Sequence, residues 1–413
     1  MAFTTPFHSR TSALNERQAW RDWSGYLAAA SYEPSHEREY YAIRNSAALI
    51  DVSPLFKYDV TGPDAPRLVN KIMTRDIVRC SAGQVMYSPW CDERGHVIDD
   101  GTVWRISENH FRITAADPNL RWFQDSGFGM EARLVDVSRN LAALALQGPN
   151  ARRILAETVT GVELETLGYY RLAPAVMEGF PLTITRTGFT GDLGYELWVS
   201  PEHAERLWDI LLDAGQRYGL LPAGMEALDI ARIEAGLLLI EVDYVSANRA
   251  LTAARKSTPF EIGLGWTVGL NKEYFVGRRP LLAEAAAGSK WAMVGLEIDW
   301  LELEALFAEA DLPPMVAGRA SREAVPVYAG RDQIGQATSR TFSPIQKRYI
   351  GLASVLREAA EPGTELEIEV TVEYERRRCR ATVVKTPFFD PARKKAVGRP
   401  EAAAPEMAAP EEA

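Results

Sequence analysis

The pattern of hydrophobic and polar residues predicts a β-hairpin over residues 86–104, MYSPWCDERGHVIDDGTVW. Two β-prone runs flank a polar turn at residues 92–95, as expected for a hairpin. Two adjacent carboxylates, Asp99 and Asp100, lie inside the second run, although aspartate is disfavoured in strands. Because successive strand residues point to opposite faces, at most one of the pair can point into any one pocket.

Similar patterns predict mixed helices and strands on both sides of this hairpin. The strand candidates are residues 49–53, 56–60, 110–114, 136–147, 182–187, 195–199 and a glycine-punctuated stretch at 258–270. Helices are predicted from Ser35, Asp64, Asn150 and Ser200, and another is predicted around residues 225–239. The three glycines within residues 188–194 are interpreted as a hairpin turn, because neither a Walker lysine nor a strand-to-helix context accompanies them.

Beyond about residue 289 the chain becomes a series of short β-rich runs separated by turns. These runs cover residues 291–298, 325–328, 333–339, 349–353, 365–372 and 378–385. Their spacing predicts a compact antiparallel sandwich or barrel. The Ala/Pro/Glu-rich end of the chain, within residues 391–413, is predicted to be a disordered tail.

Composition and charge narrow the classes of function. The 413 residues are 46% hydrophobic and 25% charged, as in ordinary soluble proteins. A net charge of −10 argues against nucleic-acid or membrane-surface binding, although a local basic pocket for a small anion is compatible with it. We expect a cytoplasmic protein, since the N-terminus lacks the pattern of a secretion signal and no apolar run approaches the roughly 20 residues that span a bilayer.

Metal catalysis is not expected. The three cysteines lack metal-ligand spacing and the five histidines are scattered, so neither a zinc site nor a histidine-based triad has obvious ligands. Arg232 and Glu234 lie among apolar residues of the helix predicted at 225–239. A charge on a buried helix needs a partner or a ligand, and both an internal ion pair and a ligand contact remain open for Arg232.

Several stretches, in the same order along the chain, resemble the glycine-cleavage T-protein family of tetrahydrofolate-dependent enzymes. They are IRNS (43–46) with IDVS (50–53), VTGPDA (60–65), YS (87–88), GHVIDD (95–100), QGP (147–149), RTGFTG (186–191) with GYEL (194–197), PAG (222–224), RIEAG (232–236), TPFEIGL (258–264), and TS (338–339) with FSP (342–344).

The resemblance implies an α+β fold with three domains arranged as a cloverleaf around a folate-binding channel. Residues 1–285 would form the folate-binding catalytic region, built from two interleaved subdomains. Residues 286–390 would form a C-terminal antiparallel β-barrel, followed by the tail at 391–413.

The resemblance also assigns residues to the channel. Asp100 matches the family's catalytic aspartate. A fixed carboxylate in a poorly solvated channel stabilises the positive charge that a folate nitrogen gains with a one-carbon unit, or takes its proton. Glu196 matches the acid that pairs with the amino-pyrimidine edge of the pterin, where a carboxylate can accept two N–H bonds. Tyr87 and Tyr169 match channel tyrosines, with ordinary core packing as the alternative for both.

Three further cofactor-binding candidates come from the same comparison. Trp104 and Thr114 replace the family's channel tyrosine and asparagine, and Arg232 is the buried arginine of the RIEAG stretch.

Other positions depart from the T-protein pattern. Ala227-Leu228-Asp229 stands where T-proteins carry Ala-Arg-Asp, so an arginine associated with folate binding is missing. Ala-Leu here is more similar to the folate domains of sarcosine and dimethylglycine dehydrogenases and related demethylases. Residues 53–55 and 239–244 also differ from the family. Such changes should alter the one-carbon donor before they alter folate binding.

The leading hypothesis is therefore a stand-alone tetrahydrofolate-dependent methyltransferase that demethylates a small donor at nitrogen, oxygen or sulfur. The second is an aminomethyltransferase that works on a lipoyl carrier protein. The third is a folate-binding protein without transferase activity, disfavoured because residues 241–277 contain no cysteine. Oxidation of the donor by this chain is not expected, because no N-terminal Gly-x-Gly-x-x-Gly unit precedes the folate portion.

Overall fold

The computed structural model of the chain describes residues 2–314 and 318–398. Its α-helices are α1 (His8–Leu14), α2 (Glu37–Asn45), α3 (Ala65–Ile72), α4 (Leu120–Ser126), α5 (Ala151–Thr158), α6 (Ala204–Gly215), α7 (Met225–Glu234), α8 (Arg278–Ala287) and α9 (Trp300–Ala308). Its strands in the first 285 residues are β1 (Trp20–Trp23), β2 (Tyr26–Ala29), β3 (Ala47–Asp51), β4 (Phe56–Thr61), β5 (Gln84–Cys91), β6 (Val97–Ser107), β7 (His110–Ala115), β8 (Arg133–Asp136), β9 (Ala142–Gln147), β10 (Leu172–Met177), β11 (Phe180–Thr185), β12 (Gly194–Val199) and β13 (Leu220–Pro222). The later strands are β14 (Trp291–Ile298), β15 (Val325–Ala329), β16 (Asp332–Ser343), β17 (Arg348–Leu356), β18 (Glu365–Val372) and β19 (Glu375–Val384).

Two sheets form the first part of the molecule, and they are interleaved in sequence. One has the strand order β10-β11-β12-β9-β3-β13, and the other has the order β5-β6-β7-β4-β8. The chain leaves the first sheet after β3, builds the second, and returns at β9. Strands β1 and β2 form a separate antiparallel hairpin near the N-terminus, where the sequence patterns predict no element.

Each sheet buries an apolar face against its own helices. Leu144 and Ile184 of the six-stranded sheet share a core with Leu207 of α6. In the five-stranded sheet, Trp90 packs edge-on against Phe123 of α4. Residues of both sheets meet α7 in a further cluster, which places this helix between them.

The hairpin predicted at residues 86–104 is present as β5 and β6, which pair antiparallel. Its turn is held by the Asp92 carboxylate, which accepts hydrogen bonds from the backbone N–H groups of Arg94 and His96, both at 2.9 Å. Gly95 has a φ of +83°, which glycine adopts without strain.

The later strands close into a six-stranded antiparallel barrel with the order β14-β17-β16-β15-β18-β19. Buried positions in β18 alternate with more exposed ones, as expected of a strand with one face on a core. This alternation explains why the sequence pattern located these strands. The barrel strands run from residue 291 to residue 384, within the range predicted for the C-terminal domain.

The structure corrects some predicted elements. Residues 258–270 form turns and a short 3-10 helix at Gly265–Thr267 instead of a strand. Helix α7 ends at Glu234 instead of Leu239, and Gly236 beyond it has a φ of +65°. Helices α1, α4, α8 and α9 are not among the predicted elements.

The predicted disordered tail also needs correction at its beginning. Arg393 forms an ion pair with Asp192 at 2.6 Å, and the backbone carbonyls of Lys394 and Ala396 accept hydrogen bonds from Arg186. Residues 391–398 are therefore packed on the body of the protein. The rest of the predicted tail, residues 399–413, lies outside the described residues.

Helix α7 is buried on all sides although it carries four charged residues. Every residue from Glu226 to Glu234 is buried. Near its end, the Glu234 carboxylate accepts hydrogen bonds from Arg44 Nη2 at 2.6 Å and from the Ser343 hydroxyl at 2.6 Å. It also accepts one from the Tyr40 hydroxyl at 2.5 Å. Glu234 thus joins α2, α7 and barrel strand β16 at one point.

Replacing Glu234 with Ala should destabilise the fold strongly, because it leaves the buried Arg44 guanidinium without its main counter-charge. Loss of one partner of a buried pair costs about 3–5 kcal/mol in the free energy of unfolding. Urea unfolding followed by tryptophan fluorescence would measure this cost. The control is Arg348→Ala, which removes an exposed ion pair with Glu297 and should cost no more than about 1 kcal/mol. Equal costs for the two variants would contradict a central role for Glu234.

Candidate functional site

A cavity of about 250 Å³ lies where the two sheets, α7 and the β1–β2 hairpin meet. Its polar lining includes Asp100, Thr114, Gln147 and Glu196 from the sheets. Much of the remaining lining is apolar or aromatic: Trp23, Ile50, Val52, Leu55, Tyr87, Tyr170, Phe189, Trp198, Met225, Leu228 and residues 237–240. Binding pockets for small organic molecules share this character, with apolar walls and a few polar groups that fix orientation.

Asp100 is held in the cavity by two tyrosine hydroxyls. The hydroxyl of Tyr87 donates to Asp100 Oδ2 at 2.7 Å, and the hydroxyl of Tyr244 donates to Oδ1. Tyr87 lies on β5 diagonally across from Asp100 on β6, a spacing within reach of an aromatic side chain. Tyr244 arrives from the segment after α7. Both carboxylate oxygens are thereby fixed in one orientation.

Asp99 points to the opposite face of the same strand, as the alternation predicts. It is fully buried, and its Oδ2 accepts hydrogen bonds from Asn119 Nδ2 at 2.9 Å and the Asp117 backbone N–H at 3.0 Å. Its Oδ1 accepts one from the Asp100 N–H at 2.8 Å. Asp99 therefore anchors the loop after β7, and only Asp100 reaches the cavity.

Burial controls the electrostatics of the site. Removal from water raises the pKa of Asp100 above its usual range, while the hydrogen bonds from Tyr244 and Tyr87 oppose that rise. Burial likewise raises the pKa of Glu196, against the effect of two threonine hydroxyls. A carboxylate with a raised pKa is a better proton acceptor near neutral pH than an exposed one.

Glu196 of β12 keeps one oxygen available. The hydroxyls of Thr187 and Thr185 both donate to its Oε2, at 2.7 and 3.2 Å. Among the residues that the structure describes, Oε1 has no hydrogen-bond partner. Glu196 can therefore accept an N–H bond from a ligand in the cavity without first losing a protein contact.

The glycines of the 188–194 loop make room for Gln147. A Cβ atom on Gly188 or Gly194 would lie 2.1 Å from Gln147 Oε1. That oxygen accepts a hydrogen bond from the Thr190 hydroxyl at 2.9 Å. The loop joins β11 to β12, which pair antiparallel, so the interpretation of these glycines as a hairpin turn is correct.

Four of the seven predicted site residues line the cavity: Tyr87, Asp100, Thr114 and Glu196. The other three do not. Trp104 is fully buried and packs edge-on against Trp198, with 4.8 Å between the ring centroids. Its Nε1 donates a hydrogen bond to Thr102 Oγ1 at 2.9 Å. Since Trp198 and Thr102 are themselves lining residues, Trp104 supports the wall from behind.

Tyr169 and Arg232 also lie outside the lining. Tyr169 packs edge-on against Tyr170, with 4.7 Å between the ring centroids. Tyr170 lines the cavity instead of Tyr169. Arg232 is fully buried and donates to Asp243 Oδ2 at 2.6 Å and to Ser339 Oγ at 2.9 Å. Of the two possibilities left open for Arg232, the structure contains the internal ion pair, so it is not a direct cavity contact.

Sequence reasoning missed Tyr244, Tyr170, Trp23 and Arg322. Tyr244 lies in the stretch that departs from the T-protein pattern, and nothing in its local pattern links it to Asp100. Trp23 and Arg322 come from residues far from the recognised motifs, on the β1–β2 hairpin and in the segment before the barrel. Only Tyr170 had a local signal, as the immediate neighbour of a predicted channel tyrosine.

Within residues 2–314 and 318–398, no group of three or more His, Cys, Asp or Glu side chains is arranged to hold a metal ion. The same residues contain no helix that is both long and apolar enough to cross a bilayer.

Comparison with family models gives two matches that together cover most of the chain. Residues 8–272 match the GCVT N-terminal domain, and residues 314–390 match the glycine cleavage T-protein C-terminal barrel domain. The structure is similar to the glycine cleavage system aminomethyltransferase T from Bartonella henselae, with a TM-score of 0.80 over 94% of this chain and 99% of that one. At 23% identity this likeness concerns the fold, and it confirms the predicted T-protein-like architecture with a C-terminal barrel.

Two relatives have names that describe different activities. An aminomethyltransferase from Halothermothrix orenii is 35% identical over 356 residues, covering 85% of this chain and 90% of the relative. A trimethylamine-oxide aldolase from Ruegeria pomeroyi is 33% identical over 407 residues, covering 95% of this chain. The chain spans about half of that second relative, 47% of its length.

Replacing Tyr244 with Phe should raise the pKa of Asp100 further. The Tyr244 hydroxyl stabilises the ionised carboxylate, so its loss favours the protonated form. Carbon-13 NMR titration of aspartate-labelled protein, with the Asp100 signal assigned from an Asp100→Asn variant, would measure the change. The control is Tyr170→Phe, which removes a hydroxyl from the same cavity but no hydrogen bond to Asp100, and should leave this pKa nearly unchanged. A lowered pKa in Tyr244→Phe would contradict the assigned contact.

Proposed function

Since the chain belongs to the glycine cleavage T-protein family, we propose that it moves a methyl group from a small methylated donor to tetrahydrofolate, acting as a demethylase. Members of this family are tetrahydrofolate-dependent one-carbon transferases, and that level of the predicted function is confirmed. The donor and the form of the one-carbon unit are the content of the proposal.

The observation that carries the proposal is the fixed carboxylate of Asp100 in a cavity with largely apolar and aromatic walls. Its two oxygens accept from Tyr87 and Tyr244, and Glu196 offers a free acceptor oxygen in the same cavity. A pterin has a ring edge rich in N–H donors and a flat apolar body. Glu196 suits the edge, and the aromatic walls formed by Tyr170, Phe189 and Trp198 suit the body, so the residues present fit this cofactor.

When bound, tetrahydrofolate would supply the ring nitrogen that accepts the one-carbon unit and becomes cationic as it does so. Asp100 would stabilise that positive charge and take the proton that the nitrogen releases. Its raised pKa suits the second role. Tyr87 and Tyr244 would keep the carboxylate in position, so that little reorganisation is needed during the reaction.

The part of the cavity wall formed by α7 and the segment after it supports a small methyl-bearing donor. Met225, Leu228 and residues 237–240 line the cavity with apolar side chains, and Leu228 replaces the arginine of authentic T-proteins. The relative from Ruegeria pomeroyi, named for an activity on trimethylamine oxide, supports a methylated nitrogen compound as a donor. Holding donor and acceptor together in this cavity would supply much of the rate, because the association entropy is lost before the chemical step.

A second candidate is aminomethyl transfer from a lipoyl carrier protein, and the relative from Halothermothrix orenii, which is named an aminomethyltransferase, supports transfer of an aminomethyl group. Asp100 would have the same part in it. The product distinguishes the two candidates, because the carrier reaction releases ammonia and forms methylene-tetrahydrofolate.

The test is incubation of the purified protein with tetrahydrofolate and a panel of methylated amines, methoxyaromatics and sulfonium compounds. A lipoyl carrier loaded with an aminomethyl group is run beside the panel, and the folate product is identified by mass. Methyl-tetrahydrofolate from a panel compound is the expected result. Methylene-tetrahydrofolate with ammonia, from the carrier alone, would overturn the demethylase assignment in favour of the second candidate.

Replacing Asp100 with Asn should lower kcat by about 10²–10⁴-fold, the usual contribution of a positioned acid or base. The affinity for tetrahydrofolate should change far less, because the amide keeps the size of the side chain. Steady-state kinetics and equilibrium binding would measure the two effects separately. Asp213→Asn, which removes an exposed carboxylate on α6, is the matched control. Unchanged turnover in the Asp100 variant would rule out its catalytic role.

A further inference from the structure

The ammonium group of Lys272 occupies a site built from backbone carbonyl oxygens. Lys272 is buried, and its Nζ donates to three of them: Asn70 O at 2.6 Å, Met73 O at 2.6 Å and Arg75 O at 2.8 Å. An ammonium group has three N–H donors, so all of them are used. The charge also lies 5.0 Å from the centroid of the Phe275 ring, within the range of a cation–π contact.

No carboxylate neutralises this buried charge directly. The hydrogen-bond partners of Lys272 are all backbone carbonyls, and no residue in the described parts of the chain forms an ion pair with it. Asp76 favours the charge only from a longer distance. Two of the three carbonyls belong to the C-terminal end of α3, where carbonyls lack a partner within the helix and the helix dipole is negative. This arrangement resembles a bound monovalent cation, because rings of carbonyl oxygens coordinate K⁺ in the same way.

The segment that carries Lys272 is fitted to this site. A Cβ atom on Gly269 would lie 2.8 Å from Lys272 Cδ, so the glycine leaves room for the lysine side chain. The N–H of Gly269 donates to the carbonyl of Thr74 at 2.9 Å. Residues 269–272 therefore hold the loop after α3 through both their backbone and the ammonium group.

The same loop holds Tyr87. Arg75 Nη1 donates to the Tyr87 carbonyl at 3.3 Å, and the Arg75 guanidinium lies 5.2 Å from the centroid of the Trp266 ring. That ring stacks on Tyr87, with 6.2 Å between the ring centroids. The hydroxyl of Tyr87 in turn donates to Asp100. A chain of contacts therefore runs from Lys272 through Arg75 to the hydroxyl that orients Asp100.

We propose that Lys272 is a tethered monovalent cation, placed in a carbonyl site that would otherwise bind K⁺ or NH₄⁺, and that it positions Tyr87 on Asp100 through Arg75. The site is separate from the cavity, since neither Lys272 nor its carbonyl partners are lining residues. A tethered cation does not have to be bound from solution, so the position of Tyr87 is independent of the K⁺ concentration. Removing the side chain should make that position depend on an added cation.

The first test is thermal unfolding of Lys272→Ala in the chlorides of K⁺, NH₄⁺, Na⁺ and tetramethylammonium at equal ionic strength. In Na⁺ the variant should unfold several degrees below the wild-type protein, because three buried carbonyls lose their charged donor. About 100 mM K⁺ or NH₄⁺ should restore about half of this loss or more, since a bound ion stabilises the folded state. Tetramethylammonium is too large for the site and should restore none. Burial lowers the pKa of Lys272 to about 7, so the comparison is made below that pH, where the wild-type side chain is charged.

Two controls separate this site from general effects of salt. Lys272→Met fills the space with an uncharged chain, and it should be destabilised without rescue by any cation. Lys71→Ala removes an ammonium group that donates to one carbonyl, that of Ser126 at 2.7 Å, and it should respond equally to all four salts.

Equal responses of Lys272→Ala to the four salts would overturn the cation site, and so would an unfolding temperature equal to that of the wild-type protein. If the variant does not fold in Na⁺, refolding is compared between the salts instead. Folding in K⁺ or NH₄⁺ alone would then support the proposal, and failure to fold in every salt would overturn it.

The second test is the pKa of Asp100 in folded Lys272→Ala, followed by carbon-13 NMR in Na⁺ and in K⁺. The pKa should rise in Na⁺, because a displaced Tyr87 no longer stabilises the ionised carboxylate, and K⁺ should return it toward the wild-type value. A lysine that only stabilises the fold would leave this pKa unchanged in both salts, and that result would overturn the positioning role. Neither test requires a folate or a one-carbon donor, so the outcome is independent of the proposed function.

Discussion

The structure depends on the burial of a charged helix between two sheets and a barrel. Helix α7 carries three acidic residues, Glu226, Asp229 and Glu234, and one arginine, Arg232, all removed from water. Each buried charge is costly unless it is paired and hydrogen-bonded. The partners come from different parts of the chain: the β1–β2 hairpin, α2, the segment after α7, and the barrel with the segment before it. These parts must therefore assemble so that each buried charge of α7 has its partner.

This arrangement also shapes the cavity. The same helix that joins the parts of the molecule presents Met225, Leu228 and Asp229 to the cavity, and the segment that follows it delivers Tyr244 to Asp100. Arg232 contributes indirectly, because its partner Asp243 is the residue before Tyr244 and also accepts hydrogen bonds from Thr338 and Ser339 of the barrel. The packing of the barrel therefore helps to position the Tyr244 hydroxyl that donates to Asp100, the candidate catalytic carboxylate.

The two faces of strand β6 separate stability from chemistry. Asp99 and Asp100 are neighbours in sequence, yet Asp99 holds a loop through backbone and amide N–H groups while Asp100 meets only side-chain hydroxyls and the cavity. Burial raises the pKa of both carboxyl groups, and the additional effect of Asp100 on Asp99 has the same sign. Because the two side chains lie on opposite faces of β6, Asp99 can stabilise the fold while Asp100 remains available in the cavity.

Local patterns in the sequence were sufficient for the hairpin at 86–104, the opposite orientations of Asp99 and Asp100, and the strands of the barrel. Each of these follows from period-two alternation and turn chemistry, which act over a few residues. The motifs also identified the family. Residues 258–270 were assigned wrongly as a strand, because apolar residues between glycines fit a buried turn equally well.

Only the tertiary structure decided that Arg232 pairs with Asp243, that Tyr244 reaches Asp100, and that Arg322 enters the cavity. These contacts join residues that lie between 11 and 144 positions apart along the chain. Such pairings are set by the packing of distant segments and leave no local pattern in the sequence.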